Sequence, residues 1–440
     1  MHTVFKHRPL VAALALALLA PIGAALAQAA PDTITLTLPE VQRLATRQNP
    51  VYLADRQEAA IARGEQRQAR LPRFNPEVSV EAPGLAGGSV GEFETSVMQE
   101  IEWAGQRGLR ARAAGIGVTR ARATVLNAAR LAVADASFAF YRTVAARRRL
   151  DLAQRMLALN ERLVTAVRIQ ANEGEISVLE ANLAELESGR ARARVLAARR
   201  AVSSAELELK RLVGLPSDQP VRLADAGSLP AAPAARTLVE DSLVAGALAR
   251  RADVAARTAA AQEFAARADL ARREAIPNVR AGVLARRDDG DGGARIGVGV
   301  GIGLPVLNRN QGEVAAREAQ ARQATYEARA AELRVRAEVA DAVRAYRAAA
   351  EETEVFESSV LEPAQRNSEL LETAFRAGKI ALPTLLLLRN QLLDAQEGYW
   401  NAWLAQREAL VGLEAATQSF ALPDPERDDQ TNTTTPVRTP

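Results

Sequence analysis

Between Arg295 and Gly312 the chain reads R-I-G-V-G-V-G-I-G-L-P-V-L-N-R-N-Q-G, and this stretch constrains the fold more than any other. Ile296, Val298, Val300, Ile302 and Leu304 fall on one face of a strand, while Gly297, Gly299, Gly301 and Gly303 fall on the other. Pro305 ends the strand, and from Gln311 onward Ala, Glu, Arg and Gln recur at helical spacing. A glycine face offers no side chains to interdigitate in a sandwich core. Such a strand suits lipid on its apolar side and an open lumen on the other.

The same switch occurs in the first half. Phe93, Thr95, Val97, Ile101 and Trp103 alternate with Glu94, Ser96, Met98, Glu100 and Glu102, and W-A-G-Q-R leads into another long helix. The chain reads as a duplication. Residues 28–213 form a first repeat of helices, two strands and a helical hairpin, 214–236 a Pro/Gly/Asp/Ser-rich linker, and 237–420 a second repeat. Residues 421–440 are polar and read as a disordered tail. Residues 1–27 read as a signal peptide: Lys6, His7 and Arg8 precede an apolar run from Leu10 to Ala20, and Ala25-Leu26-Ala27 offers the cleavage site.

Within the first repeat, a short helix near Pro39 to Gln48 and another from Val51 to Ala69 precede strands near Val78 to Ala82 and Glu92 to Trp103. A helix of about 65 residues from Gly105, or ~100 Å, then turns at N-E-G-E-I-S into a return helix from Val178 to Val213. Leu150, Ala153, Leu157, Val164 and Val167 keep heptad spacing on the long helix. The second repeat gives a helical region from Leu238 to Ala275, strands near Asn278 to Arg286 and Arg295 to Leu304, and a long helix from Gln311 to Arg376 that Pro363 should kink. Val335, Val339, Ala342, Tyr346, Ala349, Thr353, Phe356 and Val360 form its seam. Its turn, R-A-G-K-I-A-L-P, echoes the first, and Leu385, Leu388, Leu392, Ala395, Tyr399, Ala402, Ala409 and Leu413 stripe the return helix.

Composition excludes several classes. With no cysteine there is no disulfide, thiolate metal site or lipidated cysteine, and both histidines, His2 and His7, lie in the leader. No constellation supports catalysis, and no cofactor is expected. A formal charge of +3 with Arg and Glu intermixed describes solvated helix faces, not a nucleic-acid footprint. The run G-V-G-V-G-I-G lacks the Lys-Ser/Thr of a phosphate loop, and Asp288, Asp289 and Asp291 form an incomplete calcium series.

Four strands cannot close a membrane barrel, which needs about eight. Two chains would give about eight strands and a filled interior; three would give about twelve and a usable bore, so a homotrimer is expected. If the apolar set meets lipid, Glu92, Glu94, Glu100 and Glu102 line the lumen with Arg280 and Arg286.

At this point the residues resemble a family, the TolC-like outer membrane channels, and within it the branch serving cobalt-zinc-cadmium and related efflux pumps. The resemblance rests on the duplication, on N-P-E-V-S-V-E with Q-E-I-E-W-A-G-Q-R, on G-I-G-L-P-V-L-N-R-N-Q-G-E, and on F-R-A-G-K-I-A-L-P-T-L-L-L-L-R-N-Q-L-L-D-A-Q. It implies a mainly α chain contributing four strands to a trimeric twelve-stranded outer membrane barrel above an α-helical periplasmic tunnel, with shorter helices stacked end to end beside the long ones. It also implies a periplasmic adaptor and an inner-membrane resistance-nodulation-division pump as partners. The tips that would dock the adaptor are Gly174, Glu175, Ile176 and Ser177, and Gly378, Lys379, Ile380 and Ala381. The sequence departs from some members in having no carboxylate from Thr384 to Leu388, with Glu180 and Glu185 the nearest substitutes for an acidic ring. The implied function is passive efflux of divalent heavy-metal cations. Drug efflux, type I protein secretion and a structural trimeric coiled coil are the alternatives.

Overall fold

The computed structural model describes residues 33–81, 93–224, 233–287 and 293–422. The signal peptide, Glu92, most of the two strand-connecting loops and nearly all of the tail therefore lie outside the described residues.

The element order runs twice. In the first pass β1 (Ile34–Leu36), α1 (Leu38–Arg47) and α2 (Pro50–Ala69) precede β2 (Glu77–Glu81), β3 (Phe93–Ile101), α3 (Gln106–Asn172) and α4 (Val178–Val213). In the second, β4 (Val221–Leu223), α5 (Glu240–Arg250) and α6 (Ala252–Glu274) precede β5 (Val279–Arg287), β6 (Ala294–Ile302), α7 (Gln311–Val355), α8 (Glu362–Arg376) and α9 (Leu382–Thr417).

Local chemistry explains the boundaries. Thr37 caps α1 through Glu40 N at 3.3 Å, and Asn49 caps α2 through Val51 N at 2.9 Å, each followed by a proline where no backbone donor is needed. A left-handed residue marks each passage from strand to long helix, Gly105 at φ +82° before α3 and Asn310 at φ +61° before α7.

Three features differ from the sequence expectation. The 214–236 segment contains β4, which pairs in parallel with β1 (Ile34↔Val221, Leu36↔Leu223), so it carries structure as well as joining the repeats. The single helical region expected from Leu238 to Ala275 is two helices, because Arg251 is extended at ψ 123°. The Pro363 interruption takes the form of a π-helical turn over Phe356–Leu361, which widens the backbone ahead of the proline that lacks a donor. Gly398 receives the Phe356 ring there; a Cβ would lie 2.8 Å from it.

The long helix α3 packs on α2 and α6 near the sheet and on α4 and α9 beyond it. Shorter helices stack end to end. The end of α4 abuts the start of α2, where Gly214 (φ +71°) lies so close to Gln48 O that a Cβ would come within 2.2 Å. The end of α9 abuts the start of α6, where Ala252 N donates to Gln418 Oε1 at 2.8 Å. Alanine dominates the buried surface of α3, letting backbones approach closely, while Phe140, Tyr141 and Trp403 fill the main core together with Leu36, Val41, Leu209 and Val411. The α3 seam is buried or half-buried throughout, and so is the α7 seam.

Candidate functional site

The four strands form one antiparallel sheet in the order β2-β3-β5-β6. Its register sorts the side chains into two faces. Val78, Val80, Phe93, Val97, Ile101, Val283, Ile296, Val298, Val300 and Ile302 share one face, and all are exposed, Ile296 and Val298 at more than 80%. A contiguous exposed surface of this kind marks an interaction surface. Among the described residues β2 and β6 each have one unpaired edge.

The opposite face is arranged in rows. Glu81, Glu94, Arg286 and Arg295 align in one, Glu100 with Arg280 in another, and between them lie Ser79, Ser96, Met98 and Leu284. Arg280 Nη2 is 4.0 Å from Glu100 Oε2, and Asn278 Nδ2 donates to Glu100 Oε1 at 2.8 Å. Two of the β6 glycines on this face are not bare. A Cβ on Gly299 would meet Met98 Cε at 3.5 Å, and one on Gly297 would meet Leu284 Cδ1 at 3.3 Å. Met98 and Leu284 thus lie down over the Gly299 and Gly297 positions.

The sequence-derived charges separate in space. Glu94, Glu100, Arg280 and Arg286 share the face opposite the apolar one. Glu102 lies beyond the end of β3, where Arg110 grips its carboxylate at 2.5 and 2.9 Å. That hydrogen bond holds the Glu102 carboxyl below its ordinary range, and its side chain is largely buried. Sequence reasoning did not single out Arg295, which adds a third arginine to the face; strand parity alone would have found it.

At the other end of the long helices, both turns close in the same way. Glu175 N donates to Gln170 O and Lys379 N to Ala374 O, both at 2.9 Å, around left-handed Gly174 (φ +77°) and Gly378 (φ +67°). These are Schellman closures, which favour a residue without a Cβ at that position. Ser177 and Glu180 form a reciprocal capping box that starts α4, while Ala381 starts α9 with Pro383 in its first turn.

The two tips are joined. Ile176 and Ile380 are half-buried in one cluster with Leu163, Val167, Leu382 and Leu385. Glu175, Ser177, Lys379 and Ala381 are exposed, as are Val178 and Leu179, two apolar residues in the first turn of α4 that the sequence reading passed over. Glu180 is engaged in the capping box, and Glu185 accepts from Arg168 at 2.7 Å. Among the described residues no helix is long and apolar enough to cross a membrane, and no group of three or more His, Cys, Asp or Glu is placed to hold a metal ion.

Residues 243–418 match the family described as outer membrane efflux protein. The fold is shared with solved channels over most of the chain. It superposes on the Campylobacter jejuni CmeC outer membrane channel with a TM-score of 0.74 at 15% identity, covering 90% of this chain and 89% of that one. The CusC structure, described for conformational changes accompanying folding and transmembrane channel formation, gives 0.72 at 17% identity, covering 86% and 91%. The open state of the Neisseria gonorrhoeae MtrE outer membrane channel gives 0.67 at 19%, covering 86% and 88%. No curated protein sequence matches significantly. The matched segment carries the description of an outer membrane efflux protein, and the fold is the one those outer membrane channels share.

Proposed function

We propose that three copies pool their strands into a twelve-stranded barrel and their helices into a periplasmic tunnel, forming the outer conduit of a tripartite pump that expels divalent heavy-metal cations. One observation carries the conduit: an exposed apolar sheet face backed by a charged one, with both edges open. Unpaired edges are not tolerated in lipid, so the sheet closes on other copies of itself.

The tips supply the docking surface for a periplasmic adaptor bridging to an inner-membrane resistance-nodulation-division pump. Because Ile176 and Ile380 hold the tips together, contact falls to Glu175, Ser177, Val178, Leu179, Lys379 and Ala381. Cargo is the pump's choice. Per chain, the described inner face sets Glu77, Glu81, Glu94 and Glu100 against Arg280, Arg286 and Arg295, a nearly balanced wall that leaves an excess of one carboxylate. Three such wells of weak negative charge admit cations without selecting among them. The preference for metals over drugs rests on the motif resemblance.

A deletion strain tests both parts. Loss of tolerance to cobalt, zinc or cadmium is expected, restored by the wild-type gene but not by Leu179→Arg, whose product still reaches the membrane as a trimer. Unchanged metal tolerance with new sensitivity to dyes or detergents would overturn the metal assignment. Full rescue by Leu179→Arg would remove this face of the tip from docking.

A further inference from the structure

The two hairpin tips of the chain are built alike and charged oppositely. Aligned on their left-handed glycines, Gly174 and Gly378, they set Arg168 of α3 level with Glu372 of α8, and Glu185 of α4 level with Arg389 of α9. Each hairpin closes an ion pair between its helices at this level, and the polarity is reversed. Arg168 Nε donates to Glu185 Oε1 at 2.7 Å, whereas Arg389 Nη2 donates to Glu372 Oε1 at 3.0 Å. In the turns themselves Glu175 stands where the second hairpin has Lys379. Over residues 168–185, Arg168 is set against Glu173, Glu175, Glu180 and Glu185, a net charge of −3. Over the equivalent residues 372–389, Arg376, Lys379 and Arg389 are set against Glu372, a net charge of +2.

These charges do not neutralise one another. Tip meets tip through Ile176 and Ile380 in an apolar cluster. Among the described residues Glu173, Glu175 and Lys379 are exposed and enter no ion pair, while Arg376 and Arg389 share the single carboxylate of Glu372. Turn geometry does not set the sign at 175 and 379, since both turns close by backbone bonds. The acidic tip alone adds an exposed apolar pair, Val178 and Leu179, because Leu382 at the equivalent place in the second hairpin is buried. Uncompensated charges of opposite sign beside an apolar contact orient an incoming partner and reject one of the wrong pattern.

We infer that the tips take a protein partner charged in two parts, which sets Lys or Arg against Glu173 and Glu175, Asp or Glu against Arg376 and Lys379, and an apolar side chain on Val178 and Leu179. The inference rests on the reading of the tips as a docking surface, and it adds the charge pattern the partner carries and the direction in which it sits. Unlike tips already touch within the chain without pairing Glu175 to Lys379, which favours a separate protein over the opposite tip of a second copy.

Charge reversal in the full-length protein tests this in the deletion strain, challenged with the metal or dye to which the deletion sensitises the cell. Glu175→Lys makes both turns basic and Lys379→Glu makes both acidic. Each is expected to lower survival about tenfold or more while the native mass in detergent stays that of wild type, and Glu175→Gln and Lys379→Gln, which remove a charge without reversing it, should lose less. Suppressors of Glu175→Lys are expected in a second gene, replacing a basic residue with a neutral or acidic one. Wild-type survival with either reversal overturns the inference, as does an equal loss in the Gln and reversed variants. Docking at the tips still stands in those cases if Leu179→Arg fails to restore tolerance, and falls with the inference if Leu179→Arg restores it. Restoration of Glu175→Lys by Lys379→Glu in the same chain would assign the charges to pairing between tips and also overturn the inference, because the apolar contact ties the partner's basic part to the first tip.

Discussion

At Gly282 the backbone of β3 leaves no room for a side chain: a Cβ there would lie 2.1 Å from Val97 O and 2.8 Å from Met98 Cα. Gly301 shares the face but has open space where its Cβ would be. The two should respond differently to one methyl group. Gly282→Ala forces strands apart, costing at least the ~1–3 kcal/mol of overpacking, whereas Gly301→Ala stays within about 0.5 kcal/mol. Urea unfolding of the refolded barrel checks this, and equal midpoints for the two variants would contradict the register. Period-two alternation is local, so the glycine and apolar faces were legible in the sequence. That Met98 and Leu284 cover the glycines was not, because cover depends on pairing between halves of the chain. Asn310 was equally hidden, since its left-handed conformation does the work that glycine does at Gly105.

Among the elements, the long helices and the two glycine turns follow from heptad spacing and turn chemistry, which act within a few residues. The three-residue strands β1 and β4 do not, being too short for any periodicity and defined by each other. The junction where α9 meets α6 is likewise nonlocal. Arg251, almost fully buried, donates to Asp253 at 2.9 and 2.6 Å and to Glu338 at 2.5 Å, while Arg130 Nη1 caps Ala415 O of α9 at 2.8 Å. Burial pushes the Asp253 carboxyl up, but hydrogen bonding and attraction to Arg251, aided by Arg130, outweigh it and hold the carboxyl below its ordinary value. A depressed acid stabilises the fold above its unfolded pKa, about 3.9, and loses that contribution as pH falls through the lower folded value. Asp253→Asn should therefore lower thermal stability at pH 7, by about 1–3 kcal/mol since the partners are partly exposed, and the gap to wild type should narrow as pH falls below about 3.9. A difference that persists unchanged at pH 3 in circular-dichroism melts would exclude the ion pair as its source.

For the molecule as a whole, the chain exposes on one sheet face what a folded monomer in water would bury, and among the described residues that sheet ends in two open edges. The stripes of apolar residues left exposed on the helices, among them Leu186, Leu196 and Leu207 on α4 and Tyr326 and Leu333 on α7, extend the same demand along the helices. On the proposed reading, four strands per copy and a bore wide enough to conduct call for three copies, since two would fill the interior. The native mass of the protein extracted from the outer membrane in mild detergent tests this most directly. The account predicts three times the mass of one mature chain; a monomer, or a dimer, would contradict it.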